Sequence, residues 1–533
     1  MSAPARVVCL GGGFAAAGLA RGLGPALRRG LVDLTVVSRD NFHTFHGFVG
    51  EMLGGRMQPE QIASPARRIF PAAAHFHNAV IEAIDVDART VTTSRALDGR
   101  QYILSYDHLV IAIGSVDDLS RYPGIAEHAL RLKTFWDCFK VRSHFLSVLE
   151  MAEFEPDEAE RRRLLTFVIV GGNFGGVEVA AELQDFLRIV TRKEYRRIRP
   201  EEVRVIVVHS GKRILPELEQ RHPPLVRYAE RALARLGVEV RVGARLAAAT
   251  PEEAVLNDGE RIPTRSIISC AGTALSPLLD LLPFERDERG RVKTDATIRV
   301  LRTDHVWAAG DCAAVPHPRG GTCPTLAPYA MTQGETAGRN LARVVAGAAP
   351  KPYRFTGLGE ACALGRRRAI AHVKGIRLYG LPAWVLWRAV FLSFVPTWDR
   401  KARILLDWLV TPWVGREIVD VHVNEPYGVR REHYEPGQDI VREGELGRSL
   451  YVIWTGEVEV LRHEDGVERT LAVLGPGQHF GERAVFQNVR RTATVRARTQ
   501  VELLSLGERE AQALSTAMRP FGETISRLPN SRS

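Results

Sequence analysis

Gly11, Gly13 and Ala16 stand at the spacing Gly-x-Gly-x-x-Ala, directly after the apolar run Arg6–Leu10 and before an Ala-rich helical pattern reaching about Arg29. A dinucleotide pyrophosphate needs these residue types. The first glycine makes a tight turn, the second lets the backbone approach the anion, and the small third residue lets helix and strand pack closely. The helix start adds free N–H groups and a positive dipole end. Gly12 lies inside the same loop. A second strand is expected at Leu34–Val37. Where an acid would follow it to hold a ribose hydroxyl, this sequence has Ser38 and then Arg39. A serine hydroxyl makes that bond without the charge assistance of a carboxylate.

The unit recurs. Thr166–Val170 leads into Gly171-Gly172-Asn173-Phe-Gly-Gly176, then a helix to about Leu187 and a strand at Val203–Val208. Asn173 replaces the middle glycine of the fingerprint. His209 occupies the acid position, followed by Ser210, Lys212 and Arg213. Without an acid, the repulsion against a 2′-phosphate is absent. Use of NADPH and a relaxed choice between NADH and NADPH are both open. Two copies about 160 residues apart indicate a duplicated nucleotide-binding unit. Three more buried-strand patterns end in glycine: Leu109–Gly114, Ile267–Gly272, and Val306–Asp311 with its Gly310-Asp311 pair.

Around these loops the chain must build several domains, since 533 residues at roughly 150 per domain give three or four. With 45% hydrophobic and 25% charged residues, a disordered or collagen-like chain is excluded. The net charge of +10 favours an anionic partner, whether nucleotide cofactor, anionic lipid or nucleic acid, without choosing among them. Six cysteines (Cys9, Cys138, Cys270, Cys312, Cys323, Cys362) are scattered with no Cys-x-x-Cys. A disulfide framework, a zinc ribbon and a dithiol redox pair of that type are not expected, and no metal site is. The N-terminus runs into a strand without the apolar region of a signal peptide. The longest apolar stretch, near Leu378–Trp398, is broken by Pro382, Arg388 and Pro396 and reads as too short to span a bilayer.

The order of the segments is informative. Val8–Ala17, Tyr106–Ser115, Thr166–Glu178, Lys212–Pro216, Val306–Cys312 and Leu326–Gly334 together resemble a type II NADH dehydrogenase, a flavoprotein with two dinucleotide sites, over about residues 5–425. The resemblance implies an α/β fold with two Rossmann-like domains and a helical membrane-docking segment. It places an FAD-binding domain at residues 1–160 and 276–350, an NAD(P)H-binding domain at 161–275 and a docking or dimer segment at 351–428. It assigns Gly11, Gly12, Gly13, Ala16, Ser38, Arg39, Val80, Gly114, Gly310 and Asp311 to FAD. To NADH or NADPH it assigns Gly171, Gly172, Gly176, His209 and Gly272. It implies hydride transfer from the nicotinamide to flavin and onward reduction of a membrane quinone. Glu178 is placed near flavin and substrate, where it could influence proton transfer, and Gln333-Gly334 match the end of the quinone-site motif. Pro328 stands where that motif usually has glutamine, and Leu358 where many members have lysine. These departures bear on the quinone contacts more than on the flavin. No cysteine pair suits a disulfide reductase, and no set suits a sulfide:quinone reductase.

Residues 351–425 carry five of the eight tryptophans, with twelve Lys and Arg against six Asp and Glu. Tryptophan beside Lys and Arg suits a lipid interface. A peripheral position on the cytoplasmic face of the inner membrane is expected, and by family a homodimer is plausible. From about Arg430 short alternating strands separated by glycine turns read as an all-β module. Phe480-Gly481-Glu482-Arg-Ala484 and Arg491-Thr492-Ala493 make it similar to the jelly-roll cyclic nucleotide-binding domain, here within 429–533. The resemblance implies a site for cAMP or cGMP, with Glu482 on the ribose hydroxyl, Arg491 on the cyclic phosphate, Gly481 and Ala484 keeping the cassette small, and Thr492 adding a contact. The tail after about Gly507 reads as a helix stopping near Pro520, with no DNA-reading helix-turn-helix, so no nucleic-acid partner is expected. Two rival functions stand beside the quinone reductase. One is a soluble NAD(P)H-dependent flavin reductase with another acceptor, and the other a non-catalytic flavin or nucleotide sensor.

Overall fold

A computed structural model describes residues 3–95, 97–117, 122–420, 429–445, 449–464, 467–487, 489–507 and 510–511. The helix expected in the tail after Gly507 lies almost wholly outside them. The chain begins β1 (Ala5–Leu10), α1 (Phe14–Arg28), β2 (Val32–Ser38), α2 (Val49–Leu53), β3 (Ala74–Asn78) and β4 (His108–Ile111). It continues with β5 (Ala129–Leu130), α3 (Phe135–Phe154), β6 (Thr166–Val170), α4 (Phe174–Lys193), β7 (Arg204–His209), α5 (Pro216–Arg221), α6 (Pro223–Leu236), β8 (Val238–Val242) and β9 (Ser266–Ser269). Then β10 (Val306–Ala308) and α7 (Ala327–Val345) return to the first unit.

Both units are parallel sheets. The first has the order β10-β4-β1-β2-β3 and the second β5-β9-β6-β7-β8. Val7–Leu10 and Thr166–Val170 are buried without alternation. That is the pattern of strands covered on both faces by helices. The helix α4 runs on past the expected Leu187 to Lys193, because Val190 and Thr191 continue its buried face and Arg192 and Lys193 suit its C-terminal end.

Helices α1 and α7 are locked by glycines. A Cβ on Gly18 would fall 2.0 Å from the Met331 carbonyl oxygen, and one on Gly334 would fall 1.9 Å from that of Ala15. The two backbones therefore touch, and α7 is held in a single register beside the first glycine loop.

After α7 come β11 (Glu360–Ala363), β12 (Ala369–Val373) and β13 (Ile376–Tyr379), an antiparallel sheet, and the helices α8 (Gly380–Phe394) and α9 (Trp398–Val414). Among the described residues no helix is long and apolar enough to cross a membrane. The tryptophan-rich segment divides its tryptophans between the interior and the surface. Trp387 is buried, and Trp384 and Trp408 pack on the core, with the Arg388 guanidinium 3.9 and 4.2 Å from their ring centres. Arg388 in turn donates to buried Glu51 of α2, so aromatic and cationic residues serve an internal ion pair. The outward face keeps Trp398, Leu405, Leu406, Leu409, Trp413 and Val414 exposed.

The C-terminal module comprises β14 (Arg430–Tyr434), β15 (Asp439–Val441), β16 (Ser449–Thr455), β17 (Val458–Glu464), β18 (Val467–Leu474), β19 (His479–Phe480), α10 (Glu482–Gln487), β20 (Thr494–Ala497) and β21 (Val501–Gly507). Its strands pair antiparallel in two four-stranded sheets, β14-β21-β16-β19 and β15-β20-β17-β18. The module rests on the second unit through His128, whose Nε2 accepts from the His433 N–H at 2.7 Å, and through Gln438, which donates to Thr250 at 3.2 Å.

Candidate active site and cyclic nucleotide cassette

The first glycine loop is open. Gly11 has φ +108°, and a Cβ there would fall 2.2 Å from the Ala112 carbonyl oxygen, so only glycine fits between β1 and β4. A Cβ on Gly12 would press on the Ser38 hydroxyl at 2.7 Å, which places Ser38 beside the loop as its sequence position implied. Gly13 has nothing within 4 Å of its Cβ position, and it caps α1 with no side chain. The start of α1 thus has no side-chain cap. That fits an anion at a helix start.

The second loop is partly closed on itself. Gly171 has φ +118°. Asn173 caps α4 by accepting from the Gly176 N–H at 2.9 Å, while its own amide donates to the Cys270 carbonyl at 2.7 Å. His209 folds over the loop and its Nδ1 accepts from the Gly172 N–H at 3.2 Å. Burial lowers the His209 pKa, against a hydrogen bond to the Arg213 backbone that raises it, and its Nε2 is buried beside Gly211. Arg213 is committed elsewhere, paired with Glu219 at 3.0 Å and with Glu230 at 2.5 Å. Of the basic residues following β7, exposed Lys212 is the more available to a 2′-phosphate.

Gly310-Asp311 follows β10 beside α1. Gln333 is buried, and its side-chain oxygen accepts from the Gly310 N–H at 2.8 Å. Its amide oxygen is therefore engaged under the Gly310 turn. Asp311 accepts from Ser115 at 3.0 Å, and Ser115 accepts from Lys133 at 2.8 Å. The relay Lys133–Ser115–Asp311 was not foreseen. Ser115 adjoins Gly114 and was within reach of sequence reasoning, whereas nothing local marks Lys133. Arg39 is exposed and pairs with Asp40 at 3.7 Å. Val80 opens a separate antiparallel strand and Gly272 follows β9.

Glu178 lies where α4, β11 and α8 meet. Its Oε1 accepts from the Ala363 N–H at 2.8 Å and from the Trp387 indole N–H at 3.1 Å. Both donors sit on one oxygen, which leaves the other for a proton. Burial pushes this carboxyl up to about 8, against the two hydrogen bonds that lower it. The acid is protonated at neutral pH. Glu178 and Gln333 serve different places in the fold, one facing α8 and the other the Gly310 turn.

All six cysteines are free, and burial raises the thiols of Cys312 and Cys323 to about 11, so neither is a ready nucleophile.

In the C-terminal module Gly481 has φ +89°, and its carbonyl accepts from Arg491 at 3.0 Å. Arg491 also donates to the Ser449 carbonyl at 2.8 Å and lies over the Tyr451 ring, which stacks on Phe480. Glu482 begins α10, Ala484 is buried, and Thr492 is exposed. Gly481, Glu482 and Arg491 are thus brought together, with the guanidinium turned inward.

Residues 5–334 match the model of the pyridine nucleotide-disulphide oxidoreductases. The chain belongs to that family. The demethylphylloquinone reductase NdbB of Synechocystis is 30% identical over 77% of this chain and 98% of its own length. The type II NADH:quinone oxidoreductase NdhA of Mycobacterium tuberculosis is 29% identical over 77% and 87%. Among solved structures, NDH2 of Plasmodium falciparum in complex with NADH has a TM-score of 0.71 at 16% identity, covering 78% of this chain and 99% of that one. It shares the fold. Within its family the chain is a type II NADH:quinone oxidoreductase-like flavoenzyme, with FAD and NADH as its cofactors. The open first cradle fits FAD, and the second glycine loop at the start of α4 fits a nicotinamide dinucleotide. Residues 431–516 match the cyclic nucleotide-binding domain.

Proposed function

We propose that this protein oxidises NADH or NADPH and reduces a quinone while docked on a membrane surface, and that cyclic nucleotide bound to its C-terminal domain adjusts that activity. The pair of cradles in one chain carries the reading. When bound, FAD supplies the two-electron chemistry between nicotinamide and acceptor. The chain's own residues bind, orient and protonate. The first loop and the start of α1 take the FAD pyrophosphate, and Lys133 and Ser115 fix the Asp311 carboxylate beside them. The second loop and the start of α4 take the nicotinamide dinucleotide, with His209 holding the Gly172 N–H. Glu178 holds a proton at neutral pH and keeps Trp387 of α8 on its other oxygen. That places a proton donor against the docking helices, where a reduced quinone needs one.

The exposed apolar face of α9 supports docking. For regulation, Tyr451 supports a route. It lies under Arg491 and also lines a cavity of 1090 Å³ between the C-terminal module and the second unit, together with His128, Glu252 and Arg265. A phosphate that draws Arg491 outward would reach that interface through one ring.

Anaerobic mixing of the yellow protein with NADH, then NADPH, then a quinone tests the redox reading. Bleaching by the nicotinamide and recovery on adding quinone are expected. Bleaching without recovery points to another acceptor, and no bleaching to a sensor. Titration of cAMP and cGMP during NADH oxidation in the presence of anionic vesicles tests regulation. Tight binding with unchanged rate and unchanged vesicle affinity would refute it.

A further inference from the structure

We propose that His222, Glu360 and His372 form a binding site for a divalent transition ion, with Zn²⁺ the fitting probe, which fastens the second dinucleotide unit to the β11–β13 sheet. One ligand atom from each side chain lies within 4.8 Å of those of the other two. Two imidazoles and a carboxylate are the donor set of a three-ligand zinc site that keeps a position open.

Each residue is placed by its backbone. His222 closes α5, its N–H donating to the Leu218 carbonyl at 2.6 Å, and precedes Pro223-Pro224 at the start of α6. A residue before proline is held out of the helical region, so the His222 ring leaves the chain in a fixed direction. Glu360 and His372 face each other directly across the antiparallel pair β11–β12. Opposed side chains on one face of such a pair begin only about 5 Å apart. The three residues therefore come from two separate parts of the fold, α5–α6 and the sheet, and meet at their seam.

Two observations point to a ligand rather than to a closed polar cluster. The Nδ1 of His222 is buried with no hydrogen-bond partner. A buried polar atom of this kind needs an occupant, an ion among the candidates. The His372 Nδ1 stands 3.7 Å from the Glu360 Oε2, too far for a hydrogen bond and open enough to admit an ion. The two imidazole rings lie 3.7 Å apart, centre to centre, at 35°, one partly over the other. Metal–nitrogen bonds of about 2.0–2.1 Å put ligand atoms roughly 3.3 Å apart, so an ion completes the site when the rings turn edge-on to it and the side chains close by about 1 Å.

Neighbouring charge sets the affinity. Arg221 pairs with the Glu360 Oε1 at 2.6 Å and leaves Oε2 toward His372. Arg377 stands opposite His372 across the β12–β13 pair. These two cations weaken the attraction for an ion, so this is a site of moderate affinity that fills and empties with metal supply. Its consequence is mechanical. The strand β11 begins at Glu360 and ends at Ala363, whose N–H holds Glu178.

The experiment uses the EDTA-treated holoenzyme and Zn²⁺ titrated against a chromophoric chelator. One ion per chain is expected. The unfolding midpoint should rise by about 2–4 °C with Zn²⁺ well above its dissociation constant. His372→Ala and His222→Gln should each weaken this ion at least tenfold and reduce the thermal shift by half or more, with flavin content unchanged as the check of folding. Stoichiometric binding that survives the double variant would overturn the assignment. So would absence of competitive binding in the parent protein. The test needs no NADH turnover, so it can fail while the redox reading stands.

Discussion

The two dinucleotide cradles share a topology and differ in what they leave unsatisfied. At the first, Gly13 caps α1 without a side chain and nothing comes within 4 Å of its Cβ position. At the second, Asn173 caps α4, and His209 takes the Gly172 N–H. Buried or convergent N–H groups without acceptors favour a bound anion strongly, since leaving them unpaired is costly. Groups that have an internal partner give up less when a ligand departs. On the proposed reading, the first cradle holds a resident cofactor and the second a visiting one. A flavoenzyme that turns over nicotinamide needs this division.

The sharpest break in that comparison is Gly11→Ala. The φ of +108° and the 2.2 Å approach to the Ala112 carbonyl make an added methyl intolerable. Flavin content should fall from one per chain to near none, read by absorbance after gel filtration. The matching change Gly172→Ala meets side chains, His209 at 2.8 Å and Ile214 at 3.0 Å, rather than backbone. It should retain the flavin and raise KM for NADH instead.

Next is Glu178→Gln. Proton donation by a positioned acid contributes about 10²-fold or more. Quinone-dependent kcat should fall by that order while flavin bleaching by NADH persists. With its carboxyl raised to about 8, Glu178 carries its proton below that pH and loses it above. The parent enzyme's kcat should decline through about pH 8, and the variant should lack that limb.

A smaller effect is expected at His209→Glu. A carboxylate there repels a 2′-phosphate. The ratio of kcat/KM for NADPH to that for NADH should drop about tenfold, equivalent to roughly 1.4 kcal/mol. At the C-terminal module, Arg491→Lys keeps the charge and loses the planar fork. Cyclic nucleotide affinity should fall roughly tenfold by calorimetry, the loss expected for one charge-assisted hydrogen bond, with NADH oxidation in the absence of nucleotide unchanged.

Much of this was legible in the residues. Both glycine loops, their strands and the Gly310 turn are local patterns, and local patterns fix local backbone. The jelly-roll module was equally visible in its glycine turns and in Gly481, Glu482 and Arg491. What escaped depended on distant partners. Asn173 read as a missing glycine, yet it is a helix cap. Arg213 stands among the basic residues after β7, and its pairing with Glu219 and Glu230 is not visible in the local sequence. The tryptophans of 384–408 carry no periodic mark that distinguishes a face turned to Glu51 and Glu178 from one turned to lipid. The seam of His222 with Glu360 and His372 joins residues far apart in sequence, and no spacing rule anticipates it.

The division between resident and visiting cofactor is tested most directly by exhaustive dialysis of the native protein, followed by denaturation and quantitation of released nucleotides. One FAD and no nicotinamide dinucleotide per chain is the predicted composition, with a single NADH site recovered on titration. Loss of both cofactors at the same rate, or retention of nicotinamide with loss of flavin, would contradict the account.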